Sequence, residues 1–285
     1  MQSFRVYRVL VQRVKVSIVE VDETILRDWQ KRSSLAMLDP IHQFQIVKLL
    51  TIVKLGSLEI AITNSAIYMM LSVAFICIFL IIPTRKRALV PGRLQSAAEM
   101  VYEFVADMIR DTTGEEGMQF FPLVFTLFGF ILIANVMGLI PYGFTVTSHI
   151  IITAALALLV FITVIVVGFW KNGFRFLKVF VPSGIPMYIL PLVSAIEVMS
   201  FFTRPLSHSV RLFANMLAGH ITLKVFAGFI TMLGAFGALG ILGAIVPLML
   251  TIALTALELL VALLQAYVFA ILTCIYLKDT LHPGH

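Results

Sequence analysis

The chain has 285 residues, is 60% hydrophobic and only 13% charged, and has a mean hydropathy of +1.01. Soluble domains run near half apolar and about a quarter charged, so this composition excludes an ordinary soluble domain and indicates an integral membrane protein with several spans. The net charge of +6 reads as the loop bias of membrane proteins toward Lys and Arg, not as a nucleic-acid surface, and Cys77 and Cys274 lie inside apolar runs without metal or CxxC spacing.

Residues 1–37 come first. Residues 1–35 carry seven basic and four acidic side chains, with valines and isoleucines broken up by charge. No uninterrupted apolar core and no small-residue cleavage site mark a signal peptide. The segment reads as a disordered N-terminal extension, with Met37 as an alternative start just before "LDPIHQFQ". A single membrane domain is expected over 38–280, followed by a short tail at 281–285.

The first span reads as 60–83. Ile60 to Pro83 is 24 residues without a charge, about 36 Å as a helix and enough for about 30 Å of hydrocarbon. "TRKRALVPGR" follows with four basic residues and no acid, which places that loop in the cytoplasm. Residues 95–112 then read as an amphipathic surface helix. Met100, Val101, Phe104, Val105, Met108 and Ile109 recur at helical spacing, while Glu99, Glu103, Asp107 and Arg110 take the other face.

Phe120 to Trp170 is 51 residues without Asp, Glu, Lys or Arg, broken near its middle by "PYGFTVTSH". It reads as a hairpin over 120–170. "WKNGFRFLK" adds three basic residues, again cytoplasmic. A further hairpin is expected over 187–277. Its second block, Val225 to Leu277, has 53 residues and one charge, Glu258; it crosses at least once, and a hairpin within the block is an open alternative. Gly234, Gly237, Gly240 and Gly243 recur every third residue, which indicates a turn or close helix packing. Five crossings follow, with the N-terminus outside and the C-terminus inside.

An ionisable group inside a bilayer costs at least about 2.5–3.5 kcal/mol, so each is a functional candidate. The candidates are Glu197, Arg204, His208, Arg211, His220, Lys224 and Glu258. Snorkelling to the headgroups is an equal account for Arg204 and Lys224, and a satisfied structural histidine is the simpler account of His208. Apolar sequence flanks Arg211 and Glu258 on both sides. At about 100° per residue, Glu197, Arg204, Arg211 and Asn215 share one helix face, while His220 stands about half a turn from Arg211. Glu258 and Gln265 share a face of the last helix; Pro191 and Pro205 bend the preceding one. Glu and His relay protons, Asn and Gln hold water, and Arg keeps its charge. The layout suits proton movement. There is no nucleotide loop, no HExxH and no metal cluster, so neither a catalytic site nor a cofactor is expected.

"SFFTRPLSHSVRLFANMLAGH" and "TALELLVALLQAYVFAILTCIYL" resemble the two signature segments of subunit a of F-type ATP synthases. "LDPIHQFQ" and "FTLFGFILIANVMGLIPY" also resemble this family, so the resemblance covers about residues 38–280. It implies an all-α membrane protein with about five crossing helices: one outer span, then two hairpins, the last one long, strongly tilted and set against a rotating ring of c subunits. The length agrees, since Met187–His220, at 34 residues, would be about 51 Å, too long for an upright crossing. The resemblance makes Arg211 the arginine facing the ring carboxylate. It places Asn215, His220, Glu258 and Gln265 in an outer half-channel and Glu197 in or near an inner one. Asn135, Ser207, His208 and Tyr267 are further candidates for polar lining.

Many bacterial members carry Glu at the position of His220 and His at that of Glu258; the exchange here resembles mitochondrial subunits. Gly138 stands where some bacterial members have an acid. The implied partners are the c ring, b-type peripheral stalk subunits, the soluble ATPase head through the stalk, and lipid. The implied cargo is H+, with Na+ an alternative. The implied location is a bacterial plasma membrane of alphaproteobacterial type, with the mitochondrial inner membrane as the alternative. A self-contained ion-coupled transporter is the competing functional class, and it would show repeated halves with broken helices.

Overall fold

The computed structural model describes residues 44–55, 58–84, 92–140, 143–181 and 188–281. The N-terminal extension, Met37, the core of the first basic loop, Met187 and the tail beyond Leu281 lie outside the described residues. Two short strands, β1 (Lys48–Leu55) and β2 (Leu58–Thr63), pair antiparallel. Six long helices follow: α1 (Asn64–Thr84), α2 (Arg93–Thr113), α3 (Phe121–Gly138), α4 (Ile150–Asn172), α5 (Leu190–Gly234) and α6 (Ala238–Leu281). Five of them, all but α2, are long and apolar enough to cross a membrane. This is an all-α membrane fold with a small hairpin ahead of its first span.

That hairpin corrects the start of the first span. The charge-free run begins at Ile60, but residues 60–63 belong to β2 and the helix starts at Asn64. Local capping sets the boundary: the Thr63 hydroxyl accepts the Ala66 N–H at 3.3 Å, which is the N-cap geometry. Asn64 also ties down the incoming chain, accepting the Val47 N–H and donating to the Gln45 carbonyl.

The second correction concerns Val225–Leu277. It does not fold as a hairpin of its own. Residues 225–234 continue α5, and the reversal falls at 235–237. Of the four glycines in that run, Gly237 takes the left-handed conformation at φ 76°, where a side chain is strained. Gly240 lies directly over the Leu233 carbonyl. Gly237 and Gly240 therefore serve one turn. With 45 and 44 residues, α5 and α6 would each be more than 60 Å long, about twice the hydrocarbon thickness, and they pack along one another.

Lipid gives no hydrophobic drive for helix association, so close fit and polar contacts carry it. On α6, Ala262, Ala266 and Ala270 are fully buried at four-residue spacing, a small-residue seam in the part of α6 against which α3 packs. Gly168 of α4 leaves room for Phe176 and Thr280. The α2 helix buries Val105, Ala106, Met108 and Ile109 against the bundle, and Thr113 donates to the Cys274 carbonyl of α6 at 3.2 Å. Met100 and Phe104, read above as part of its apolar face, stay 68% and 47% exposed, because α2 rests on the bundle mainly through its second half.

The charged ends gather together. Lys171 at the end of α4 pairs with Glu116 before α3 at 3.4 Å, and Asn172 donates to the Thr280 carbonyl of α6 at 2.6 Å. The connection from α3 to α4 lies at the other end, beside the start of α1, where Tyr68 meets Phe144 at 5.9 Å.

Candidate functional site

Two polar clusters sit at different depths along α5. The first joins α5 to α6. His220 and Glu258 are 6% and 5% exposed, and His220 Nδ1 stands 3.4 Å from Glu258 Oε1. The contact is close without hydrogen-bond alignment, since neither carboxylate oxygen has a hydrogen-bond partner. The other imidazole nitrogen is held: His220 Nε2 and the Thr145 hydroxyl are 2.8 Å apart. The Phe44 ring lies 6.4 Å from the imidazole ring. Gly219 makes the approach of the carboxylate possible, because a Cβ there would stand 2.6 Å from Glu258 Oε1.

Two residues on from Thr145, a separate set of polar contacts lies in the bundle. Thr147 donates to Asn135 at 2.7 Å, and Asn135 donates to the Ala262 carbonyl at 3.3 Å. Thr145, Thr147 and Asn135 are all buried, so their hydrogen bonds are required, not optional. Gly138, at the end of α3, gives Thr145 its place: a Cβ at 138 would stand 2.6 Å from the Thr145 hydroxyl oxygen. Just beyond, His149 stacks on Phe144 at 5.0 Å, and burial holds its imidazole below the ordinary histidine pKa, which favours the neutral ring.

The second cluster lies at the charged end. Arg204 donates to Asp279 of α6 at 2.7 Å and reaches Glu197 at 3.5 Å. Its guanidinium carbon stands 5.2 Å from the Tyr276 ring centre and 6.0 Å from that of Phe201. His208, one turn further on, is 4% exposed and packs on Phe269 with ring centres 3.9 Å apart. Glu197 is therefore the partner of Arg204.

Arg211 lies between the clusters along the helix and points elsewhere. It is exposed, and among the described residues no carboxylate is within ion-pair distance of it. Asn215 and Ser207 are also exposed. Gln265 is half-buried, seven residues beyond Glu258. Tyr267 is half-buried against Phe104 of α2, 5.8 Å between ring centres. The structure thus brings together His220 with Glu258, and Glu197 with Arg204, but leaves Asn215, Gln265 and Tyr267 out of both contacts.

Sequence reasoning missed Thr145, Thr147, Gly219 and Asp279, and it treated Arg204 only as a charge. The signal for the threonines was the polar run inside "PYGFTVTSH", which served only as a break. Asp279 stood just past the last apolar run and was not weighed. Among the described residues, no group of three or more metal-ligating side chains exists.

Residues 66–278 match the family model described as ATP synthase A chain. The chain is 68% identical over 247 residues to an ATP synthase subunit a of Rhodopseudomonas palustris (strain TIE-1), covering 87% of this chain and 99% of that relative. It is 61% identical over 249 residues to an ATP synthase subunit a of Afipia carboxidovorans, covering 87% of this chain and all of the relative. It is 64% identical, over the same length and coverage, to an ATP synthase subunit a 1 of a Bradyrhizobium species.

Proposed function

Since the chain belongs to the ATP synthase subunit a family, a proton-translocating component of that enzyme's membrane sector, we propose how its own residues carry the proton. The chain is a stator facing a ring of c subunits. Protons enter by an outer half-channel that includes the His220–Glu258 pair, with Asn215 and Gln265 further along it. They reach a carboxylate on the ring and leave by an inner half-channel near Glu197. Arg211 stands between the two and blocks direct leakage.

The observation that carries this reading is the orientation of α5. His220 and Glu258 are turned into the bundle, whereas Arg211 is exposed without a carboxylate of its own chain in ion-pair range. A permanent cation in an apolar span requires an anion or water. A carboxylate brought alongside by a second subunit supplies one. The nine-position separation of Arg211 and His220 accounts for the half-turn between them. Thr145, which bonds His220, and the neighbouring Thr147–Asn135 contact place polar groups beside the pair at the uncharged end of the bundle.

The setting proposed is a bacterial plasma membrane, with c-ring and b-type stalk partners and the soluble ATPase head reached through the stalk. A self-contained transporter would be built around broken helices; α5 and α6 each run unbroken for more than forty residues. The test is ATP-driven acidification of vesicles carrying the purified complex, with and without sodium. Acidification independent of sodium is expected. A strict sodium requirement overturns the proton assignment, and transport by this chain without a c ring overturns the stator reading.

A further inference from the structure

A cavity with room for roughly one water lies behind α5, on the bundle side, lined by residues of α4, α5 and α6 that include Ala157, Phe201, Arg204, Pro205, His208 and Tyr276. Its walls are mostly apolar, but Arg204 and His208 line it, beside Phe201 and Pro205. His208 is 4% exposed, and its Nε2 has no hydrogen-bond partner. Pro205 has no N–H to offer the Phe201 carbonyl four residues earlier, so that acceptor loses its helical partner. Arg204 uses its guanidinium on Asp279 and Glu197, yet it carries five donors.

We propose that this cavity is a site for one ordered water, which donates to His208 Nε2 and the Phe201 carbonyl and accepts from Arg204. The chemistry fits one water because a buried water makes two to four hydrogen bonds to groups left unsatisfied by protein. The water extends the polar contacts of Glu197, Arg204 and Asp279 by one helical turn, toward the level of Arg211. His208 is then a positioning residue of the inner path: it holds the water that holds Arg204. This rests on the proton-path reading above.

The experiment is an electron cryomicroscopy map of the assembled complex in lipid, at a resolution that shows ordered waters, joined to pumping assays in inverted vesicles at matched levels of complex. Density within hydrogen-bond distance of both His208 Nε2 and Arg204 is expected. The absence of that density, in a map with ordered waters elsewhere in the same subunit, overturns the proposal. His208→Leu is expected to slow ATP-driven pumping several-fold, and His208→Gln, which keeps an acceptor, to retain more of it. If His208→Leu does not assemble, Ala157→Leu fills the cavity and leaves the imidazole in place; a wild-type rate with the cavity filled overturns the proposal. Failure of the wild-type complex to pump protons sinks the broader functional reading. Wild-type pumping with unaffected variants sinks the water site alone.

Discussion

Gly219 of α5 lies directly against the Glu258 carboxylate of α6: a Cβ at 219 would stand 2.6 Å from Oε1 and 2.9 Å from Cδ. The helices meet there only because one side chain is missing. Gly219→Ala is therefore expected to push the carboxylate away from His220, although alanine is the better helix former by about 1 kcal/mol. Gly129→Ala is the control, since its nearest neighbour is an Ile76 methyl at an ordinary 3.8 Å. ATP-driven pumping should fall several-fold in the first variant and stay near wild type in the second. Equal rates in both would show that the close approach has no bearing on conduction.

The same logic applies at the end of α3. Gly138→Ala should collide with Thr145, whose hydroxyl oxygen and Cγ2 stand 2.6 and 2.7 Å from the new methyl position. Thr145 then loses its bond to His220 Nε2. Serine at 145 keeps the hydroxyl and removes Cγ2. The double variant Gly138→Ala with Thr145→Ser should pump better than Gly138→Ala alone. Thr145→Val, which leaves the buried imidazole nitrogen unsatisfied at a cost of about 1–3 kcal/mol, should be poorer than Thr145→Ser. Identical pumping by the valine and serine variants would remove Thr145 from the site.

On the proposed path His220 and Glu258, 3.4 Å apart, act as one relay for the entering proton. Removing one partner strands the other in a dry site. His220→Ala or Glu258→Gln alone should slow proton entry strongly. The exchange of His220→Glu together with Glu258→His should recover more activity than either single exchange, since Thr145 can donate to a carboxylate at 220 as readily as it bonds the imidazole. Proton pumping at matched complex levels decides this. A double exchange no better than the worse single one means the two residues are not coupled.

On the proposed path, Arg211→Ala should abolish ATP synthesis coupled to proton flow and raise passive leakage, because nothing permanent would then stand between the two proposed half-channels. Arg211→Lys should also fail, since lysine deprotonates more readily when desolvated and lacks the planar fork. Coupled synthesis at the wild-type rate in Arg211→Ala would refute the stator reading.

Phe174, just past α4, is 88% exposed and sits in the basic "WKNGFRFLK" stretch. A single cysteine at 174, or at Ala88 in the first basic loop, should resist an impermeant thiol reagent applied to intact cells and react in inverted vesicles. Labelling from outside the cell would reverse the orientation drawn from the basic loops.

Much of this molecule is written locally. A charge-free run of about twenty residues must satisfy its own backbone in lipid, so a helix over most of it follows from composition. The opposed directions of Arg211 and His220 follow from nine residues at about 100° each. These are properties of one segment, and the sequence by itself determined them. Helix packing decided the rest. Thr145 and His220 are 75 residues apart, as are Arg204 and Asp279, and no periodicity within a segment encodes which helix faces which or at what register. The hairpin before α1 was hidden because strand and helix both tolerate a short apolar run, and pairing with β1 together with the Thr63 cap settled it. The sequence marks Gly138 only as lacking an acid and gives Gly219 no role; only the side chains that occupy the space beside them, Thr145 and Glu258, give those glycines a reason.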